Sequence, residues 1–294
     1  MFKLAVFTDE ISQDLDIALS VAREFSCDAV EIRSVWDTGV QELTNEQIKV
    51  IKDKCAEAEL AICCLGTPFY KCEIDDPGQI HAHHDILRRC CEVAHALETN
   101  LIRGFTFWRR GPAEEAWDRI IDNFEIPADI LEQGNCRMVI ENEASTYLGT
   151  GALTASFLDE IAHDHISAVW DPCNVLFDFD VQENPFPEGY RAIRKHITHV
   201  HVKDGERTGP DSAHCVCIGE GEVDYVSTFQ ALIEDGYEGY VSLETHWRPE
   251  DISQELMDRP GGGEYSKEAE YATRRCLERT HELIQKAQEA AGKP

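Results

Sequence analysis

Eight short apolar runs recur along the chain, each four to seven residues long and separated by amphipathic segments. Several are almost continuously apolar, such as LAICCL at residues 60–65, which is typical of parallel strands buried on both faces. The runs predict eight β-strands: Lys3–Thr8, Ala29–Arg33, Leu60–Leu65, Leu101–Phe107, Arg137–Glu141, Ala168–Asp171, His199–Lys203 and Tyr240–Glu244.

The segments between the strands carry apolar residues at intervals of three and four, which is the spacing of a helix that faces a core. Thr44 precedes the second segment and Gln47 follows three residues later, the pattern of a capping box. The predicted helices are Asp14–Phe25, Asn45–Glu57, Gln79–Leu97, Ala113–Gln133, Leu153–His163, Pro187–Lys195, Tyr225–Glu234 and Ser266–Glu289.

Strands that alternate with helices from end to end predict a parallel sheet of the α/β class. Eight repeats with short connections favour a closed (β/α)8 TIM barrel, with residues 1–294 forming a single domain. Two connections are longer than the fold needs, at residues 204–224 and 246–264. Both follow strands, so we expect them over the barrel mouth, as lids, partner contacts or surface decoration.

The chain is strongly acidic, with a formal net charge of −29 from 27 basic and 56 acidic residues. Such a charge repels nucleic acid and anionic membranes, so neither is expected as a partner. No run approaches the roughly 18 apolar residues of a membrane span. The N-terminal run is too short for a signal peptide and predicts a strand instead.

The twelve cysteines include adjacent pairs but no C-x-x-C motif. They fall in predicted strands and helices, which favours reduced, partly buried thiols over disulfides or a zinc site. We therefore expect a cytoplasmic protein, and the sequence leaves homo-oligomerisation open.

Four polar residues stand at the ends of predicted strands: Glu141, Asp171, His201 and Glu244, which are spaced 30, 30 and 43 residues apart. One βα unit is about 30 residues long, so these side chains arrive at the same end of the strands. A βα barrel builds its active site at that end. Three carboxylates and one imidazole placed there predict a divalent-metal site.

Oxygen ligands with a single imidazole suit Mn²⁺, Mg²⁺ or Co²⁺, with Zn²⁺ as the alternative. Taken singly, a carboxylate at a strand end is more often a helix cap or an ion-pair member, and a histidine in a strand is usually a hydrogen-bonded core residue. The set of four at repeat spacing favours the metal. His199 competes with His201, because residues two apart share a strand face.

A metal held by four protein ligands keeps positions open for two adjacent substrate oxygens, such as a hydroxyl next to a carbonyl. The ion would polarise the carbonyl, and a positioned base and acid would then move a proton between neighbouring carbons. Glu141 and Glu244 come from different strands and are candidates to approach the substrate from two sides.

Cations are scarce, yet several lie at or just beyond predicted strand ends: Arg33, Arg103, Lys203, Arg207 and Arg248. In so acidic a protein, a basic cluster at the barrel mouth favours an anionic substrate, either a carboxylate or a phosphate. The alternative is that Arg33 and Arg103 pair with carboxylates inside the barrel. Lys203 lies two residues after His201 and should point into the barrel, where it would stabilise an oxyanion or exchange a proton.

Two further residues are candidate substrate contacts. His246 lies two residues past Glu244, and Trp108 follows another predicted strand, where its ring would line a sugar pocket. Packing within the loop explains Trp108 equally well.

The segments FTDEIS, AVEIRS, IRGFTFW, MVIENE, VWDPCNV, HVHVKDG, GEGEVDY and VSLETH occur in this order over nearly the whole chain. Together they resemble the xylose isomerase-like barrel superfamily, and within it the sugar phosphate isomerase/epimerase group. That group also includes ketose 3-epimerases, hydroxypyruvate isomerase, inosose dehydratase and endonuclease IV. The resemblance implies that Glu141, Asp171, His201 and Glu244 bind one divalent metal ion, and it favours His201 over His199.

The resemblance also implies that Glu141 and Glu244 are the proton-transferring pair, as in the ketose epimerases. At two sets of positions the chain departs from members of this group, which weakens the expectation of a simple free-ketose epimerase and of a DNA-repair enzyme. Ketose 3-epimerases place a substrate-binding histidine where this chain has Asn174, although Arg207 keeps the position of their arginine. Endonuclease IV needs further histidines where this chain has Asn174, Thr67 and Phe107, so DNA repair is not expected.

The sequence therefore predicts a metal-dependent isomerase or epimerase of a small sugar, polyol or sugar acid. The alternative is a lyase on the same scaffold, either a dehydratase of the inosose type or a subunit that cleaves oxidised glycosides by β-elimination. A non-catalytic sugar-binding barrel is a third hypothesis, which the paired glutamates Glu141 and Glu244 oppose.

Overall fold

The computed structural model describes residues 1–249 and 262–292, and eight parallel strands form a closed barrel in it. In chain order the strands are β1 (Lys3–Phe7), β2 (Ala29–Ile32), β3 (Ala61–Phe69), β4 (Leu101–Gly104), β5 (Arg137–Glu141), β6 (Ile166–Trp170), β7 (Ile197–Val202) and β8 (Tyr240–Leu243). Each strand pairs with its neighbour in sequence, and β1 closes the barrel against β8. The predicted (β/α)8 barrel is confirmed.

Helices connect the strands and cover the outside of the barrel. They are α1 (Leu15–Glu24), α2 (Asn45–Glu57), α3 (Pro77–Ala96), α4 (Ala113–Asp122), α5 (Glu125–Gln133), α6 (Gly151–Ile161), α7 (Tyr190–Ile193), α8 (Tyr225–Glu234), α9 (Gly262–Tyr265) and α10 (Ala269–Ala290). The main hydrophobic core lies between these helices and the strands. In the part of the chain that the structure describes, no helix has the length and apolar character needed to cross a membrane.

Side-chain caps fix where several helices begin. The predicted capping box is present, because the hydroxyl of Thr44 accepts from the N–H of Gln47 and the Gln47 side chain accepts from the N–H of Thr44. First-turn N–H groups of four other helices donate to the side chains of Asp14, Asp76, Thr150 and Asp224. These bonds satisfy donors that a helix start otherwise leaves unpaired.

The prediction of one helix over Ala113–Gln133 is wrong, because the chain breaks there into α4 and α5. Pro127 explains the break. It has no N–H to donate, and its ring clashes with the carbonyl four residues earlier, at Asn123. Asn123 and Phe124 are the residues that separate the two helices. The predicted helix Pro187–Lys195 likewise contains only four residues of α-helix, α7. The segment Pro185–Gly189 is a π-helical turn in which Phe186 is not helical, and Arg194–His196 is a 3₁₀ turn.

The long connection at residues 204–224 contains an antiparallel hairpin that the sequence reasoning did not anticipate. Its strands are Asp204–Gly209 and Ser212–Val216, joined through Pro210 and Asp211, which are common turn residues. We call this element the mouth hairpin. The second long connection, at 246–264, falls mostly on residues 250–261, which lie outside the described residues, as does part of its glycine-rich run at 260–263.

Alternate residues of each strand point into the barrel, so the interior side chains form layers. One layer holds small and apolar side chains: Ala5, Ala29, Cys63, Cys64, Val139 and Val169. Two residues further along β5 and β6 come Glu141 and Asp171, so the same strand faces turn from apolar to charged toward their C-terminal ends. All twelve cysteines are free thiols in the structure, and eleven are buried.

His83 on α3 provides a pH-dependent contribution to stability. Its Nδ1 accepts a hydrogen bond from the N–H of Tyr70, at 2.9 Å, which requires an unprotonated nitrogen. Burial, with a smaller contribution from His84, lowers the pKa of His83 to about 4. The unfolded chain therefore binds this proton more readily than the folded one, so stability is lost as the pH falls from about 6.5 toward 4.

We predict that His83→Asn, whose amide oxygen can replace Nδ1 as acceptor, flattens this pH dependence. Wild type should lose roughly 2 kcal/mol more than the variant between these pH values, less than the full shift implies because the ring is partly exposed. Urea unfolding across the pH range measures the difference. His81→Asn is the control, since that side chain is 76% exposed. Equal pH profiles for wild type and His83→Asn would refute the assignment.

Candidate metal and catalytic site

The barrel brings Glu141, Asp171, His201 and Glu244 together at the C-terminal end of its strands. Glu141 ends β5, Asp171 follows β6, His201 lies in β7 and Glu244 follows β8. One nitrogen or oxygen atom from each lies within 4.8 Å of the corresponding atom of every other. All four residues are at most 2% exposed.

The two histidines of the HVH segment share Glu31 as a partner, but only His201 also faces Glu141 and Glu244. Nδ1 of His201 lies 3.3 Å from Oε1 of Glu141 and 3.9 Å from Oε2 of Glu244, while its Nε2 lies 3.4 Å from Oε1 of Glu31. His199 instead bonds through Nε2 to Oε2 of Glu31, at 2.9 Å. Of the two, His201 is the histidine that joins the three carboxylates.

The donor set fits a divalent cation. Three carboxylates and one imidazole nitrogen are hard or borderline ligands, matching Mg²⁺, Mn²⁺ or Co²⁺. Oδ1 of Asp171 accepts from the N–H groups of Cys173 and Asn174. Its Oδ2 is buried and has no hydrogen bond of good geometry, although Nζ of Lys203 lies 2.9 Å away. Oδ2 is thus an acceptor suited to a metal ion.

Buried cations pair with the same carboxylates. Arg33 bonds through Nη1 to Oε1 of Glu244 at 2.7 Å, and through its other nitrogens to Asp9 at 2.8 Å and Glu10 at 2.9 Å. Arg103 lies 3.1 Å from Glu141 and 3.4 Å from Glu244. The pairing of Arg33 and Arg103 with barrel carboxylates, the alternative weighed from the sequence, is what the structure shows.

These neighbours set the charge states of the site. Burial alone would raise the pKa of Glu141, but Arg103 and His201 lower it to about 2. Burial likewise opposes ionisation of Glu244, yet His246 and Lys203 hold its pKa well below the usual range. Burial outweighs Lys203 at Asp171 and raises that pKa to about 6. Two of the three carboxylates are therefore strongly held in the ionised form.

The neighbouring carboxylates raise the pKa values of His201 and Lys203. Burial disfavours the charged form of His201, but Glu31 and Glu141 raise its pKa to about 10. Burial also opposes the charge on Lys203, whose pKa is nevertheless raised well above its usual value by Asp171 and Glu244. The ammonium group lies 3.3 Å from Oε2 of Glu244. Lys203 points into the site, as its two-residue offset from His201 predicts.

The remaining predicted residues occupy different places. Nδ2 of Asn174 donates to Oε1 of Glu141 at 3.1 Å, inside the site. Nδ1 of His246 lies 3.0 Å from Glu10 and 3.9 Å from Glu244. Trp108 forms a β-bridge with Thr146. Arg207 lies on the mouth hairpin, donates to the carbonyl of Leu176 and faces Glu222 at 3.8 Å.

Three further residues lie around the site: Glu10 and Glu31, which the sequence offered as ion-pair partners of the barrel arginines, and Lys71, which it did not single out. Glu31 contacts both histidines, and Glu10 joins Arg33 to Arg248 and Tyr265. The signal for Glu31 was available, since it lies two residues before Arg33 on one strand face. Lys71 was missed because β3 runs to Phe69, four residues past its predicted end.

A family model described as xylose isomerase-like TIM barrel matches residues 19–286. The chain belongs to this family. The expected superfamily is thereby confirmed.

Two curated relatives are similar in sequence to part of this chain. The 3-dehydro-D-guloside 4-epimerase of Escherichia coli is 28% identical over 94 residues, which cover 32% of this chain and 31% of the epimerase. The inosose dehydratase of Geobacillus thermodenitrificans is 23% identical over 157 residues, covering 46% of this chain and 49% of the dehydratase. The chain thus matches about a third to a half of the length of these relatives.

Solved structures match the fold of this chain over nearly its whole length. A xylose isomerase domain protein from Planctomyces limnophilus has a TM-score of 0.75 at 13% identity, covering 99% of both chains. A D-allulose 3-epimerase from Methylomonas sp. in complex with D-allulose has a TM-score of 0.69 at 20% identity, covering 95% of this chain and 97% of the epimerase.

A third structure is a xylose isomerase-like TIM barrel protein from Mycobacterium smegmatis in complex with magnesium. Its TM-score is 0.69 at 16% identity, covering 99% of this chain and 98% of that protein. At such identities these likenesses show the shared fold. Sugar epimerases are among the neighbours by sequence and by structure, which supports an enzyme.

The network around Glu10 should dominate the stability of this end of the barrel. Its fully buried carboxylate bonds to Arg33 and lies 3.0 Å from Nη2 of Arg248. We predict that Glu10→Gln destabilises the fold by about 3–5 kcal/mol, because among the described residues it removes the carboxylate that pairs with the buried guanidinium of Arg248. Urea unfolding at neutral pH measures the effect.

Glu24→Gln is the matched control. Glu24 also pairs with an arginine, Arg274, but its side chain is 57% exposed. Its loss should cost less than about 1 kcal/mol. If the two substitutions cost the same, the account of the Glu10 network is wrong.

Proposed function

We propose that this protein is a divalent-metal-dependent isomerase or epimerase of a small sugar, polyol or sugar acid, acting by proton transfer next to a carbonyl. The observation that carries the proposal is the convergence of Glu141, Asp171, His201 and Glu244 at the catalytic end of the barrel. The sugar epimerases among its relatives support it.

Glu141, Asp171, Nδ1 of His201 and Glu244 would hold the ion, with Mn²⁺, Mg²⁺ or Co²⁺ favoured and Zn²⁺ as the alternative. When bound, such an ion supplies Lewis-acid polarisation of a substrate carbonyl. Glu31 faces Nε2 of His201 at 3.4 Å and would fix the orientation of the ring. A structural neighbour, the Mycobacterium smegmatis protein, is a complex with magnesium, which supports a divalent ion on this fold.

Glu141 and Glu244 are the proposed proton-transferring pair. Both carboxylates are held ionised, which is the form a proton acceptor needs, and they come from strands β5 and β8, which are not neighbours. Asn174 donates to Glu141, and Arg33 donates to Glu244, so each carboxylate is oriented by a buried donor. A substrate between them would meet one group on each side.

Lys203 is the proposed stabiliser of negative charge on the substrate oxygen. Its ammonium group is buried and protonated, and it already touches Asp171 and Glu244. A fixed positive charge in a water-poor site stabilises charge that develops during proton transfer. We further assign Arg33, Arg103, Trp108, Asn174, Arg207 and His246 to the walls that bind the substrate.

A lyase on the same residues is the second candidate, and the match to inosose dehydratase supports it. Dehydration and epimerisation both begin when a base removes a proton next to a carbonyl. The products distinguish them: an isomer without loss of water indicates the epimerase, whereas a new ultraviolet-absorbing enone indicates the lyase.

Metal binding is tested first. Mn²⁺ should raise the thermal unfolding temperature of the purified, chelator-treated protein, because a ligand of the native state stabilises it. Asp171→Asn should weaken Mn²⁺ binding at least about tenfold by titration calorimetry, since it removes one charged ligand. Asp159→Asn, at a side chain 52% exposed, is the control. No stabilisation by Mn²⁺, Mg²⁺, Co²⁺ or Zn²⁺ would overturn the metal assignment.

Proton transfer is tested in D₂O with Mn²⁺ and a panel of ketoses and keto sugar acids that includes D-allulose. Wild type should introduce deuterium next to the carbonyl of at least one of these compounds, detected by NMR. Glu141→Gln and Glu244→Gln should each slow that exchange by about 10²–10⁴-fold, the usual contribution of a general base.

Glu24→Gln, at a side chain that is 57% exposed, is the control and should exchange at the wild-type rate. The metal content of each variant is measured, so that loss of the ion is distinguished from loss of the base. Unchanged exchange in metal-loaded Glu244→Gln would refute its catalytic role.

A further inference from the structure

Two buried lysines lie at the catalytic end of the barrel in contrasting surroundings. Lys203 lies between two carboxylates, as described above. The Lys71 side chain is 9% exposed, and its ammonium nitrogen lies 4.4 Å from the ring centroid of Phe105 and 5.6 Å from that of Trp108. Oε2 of Glu143 lies 3.7 Å from its Nζ. The ammonium group of Lys71 is therefore close to two aromatic rings as well as to a carboxylate.

The charge balance of the two lysines differs in the same way. Burial lowers the pKa of Lys71, and Glu143 offsets this only in part. Burial also acts to lower the pKa of Lys203, but Asp171 and Glu244 raise it by more than burial lowers it. Glu141 and Glu244 also act on the charge of Lys71, which places it beside the candidate site. Of the two ammonium groups, that of Lys71 gains more from a further anionic partner.

A second cation shares the same aromatic ring. The guanidinium carbon of Arg103 lies 4.9 Å from the ring centroid of Phe105. Nε of Arg103 is buried, and it has no hydrogen-bond partner among the described residues. The positive charges of Lys71 and Arg103 repel each other beside this ring, and an anion bound between them would offset that repulsion. Aromatic walls exclude water, which strengthens the attraction of both cations to such an anion.

We propose that Lys71 and Arg103, with the rings of Phe105 and Trp108, form a subsite for the carboxylate of a sugar acid. This inference rests on the proposed function and names its substrate class. A lysine ammonium that already faces one glutamate matches a monoanion rather than a phosphate dianion. Trp108 offers an apolar face to the sugar carbons next to the carboxylate.

The test compares the binding of D-gluconate with that of D-glucitol to the Mn²⁺-loaded protein by titration calorimetry. The two compounds differ only in one terminal group, a carboxylate or a CH₂OH, and neither has a ketone or an aldehyde, so the readout does not depend on turnover. Wild type should bind D-gluconate about tenfold or more tightly than D-glucitol, the scale of one charged hydrogen bond. Lys71→Met should reduce this preference to less than about threefold, and Lys71→Arg should retain most of it.

Lys49→Met is the control, since that lysine is 75% exposed, and it should keep the wild-type preference. A preference that survives Lys71→Met would assign the carboxylate to the metal and overturn the subsite. Equal binding of both polyols to wild type would also overturn it, while leaving the carbohydrate function standing. Binding of neither would count against both proposals. If the protein bound D-glucitol 6-phosphate tightly but did not bind D-gluconate, the carboxylate proposal would be wrong and the subsite would be one for a phosphate.

Discussion

Charge buried inside the barrel is the constraint on which the rest of the structure depends. Six carboxylates at the catalytic end are at most 2% exposed: Asp9, Glu10, Glu31, Glu141, Asp171 and Glu244. Removing an ion from water costs several kcal/mol unless partners compensate it. The partners of five of them are Arg33, Arg103, Lys203 and Arg248, each from a different βα unit. Glu31 instead faces His199 and His201. The charges meet only if all strands end in the correct register, above a layer of small apolar side chains that closes the barrel below.

The same constraint links stability to chemistry. The arginines and the lysine that offset burial also hold Glu141 and Glu244 ionised and in place, as ligands or proton acceptors must be. His201 is fixed between Glu31 and Glu141, with the ring of Phe7 edge-on at 5.1 Å. A divalent ion would join a network in which the carboxylates outnumber the arginines and lysine and are already held in place, so the site is preorganised rather than assembled by the ligand.

Periodicity and spacing were sufficient to predict the barrel, because strand burial and helix amphipathicity are local patterns. They also predicted that the four candidate ligands converge, since one βα unit delivers each. What the sequence could not predict depends on long-range contacts. The partners of Arg33 come from β1 and β8, and Lys71 matters only because β3 is longer than its apolar run. Pro127 and the turn at Pro210 were local signals that strand and helix counting overlooked.

The central claim is that one divalent ion binds among Glu141, Asp171, His201 and Glu244. Two other buried groups have similar ligand types, Glu31 with Cys63 and His199, and Glu10 with Glu244 and His246. Anomalous scattering from crystals grown with Mn²⁺ distinguishes the three positions directly. The account predicts one strong peak within bonding distance of the three carboxylates and Nδ1 of His201. A peak at either of the other groups, or none near His201 in Mn²⁺-saturated crystals, would contradict it.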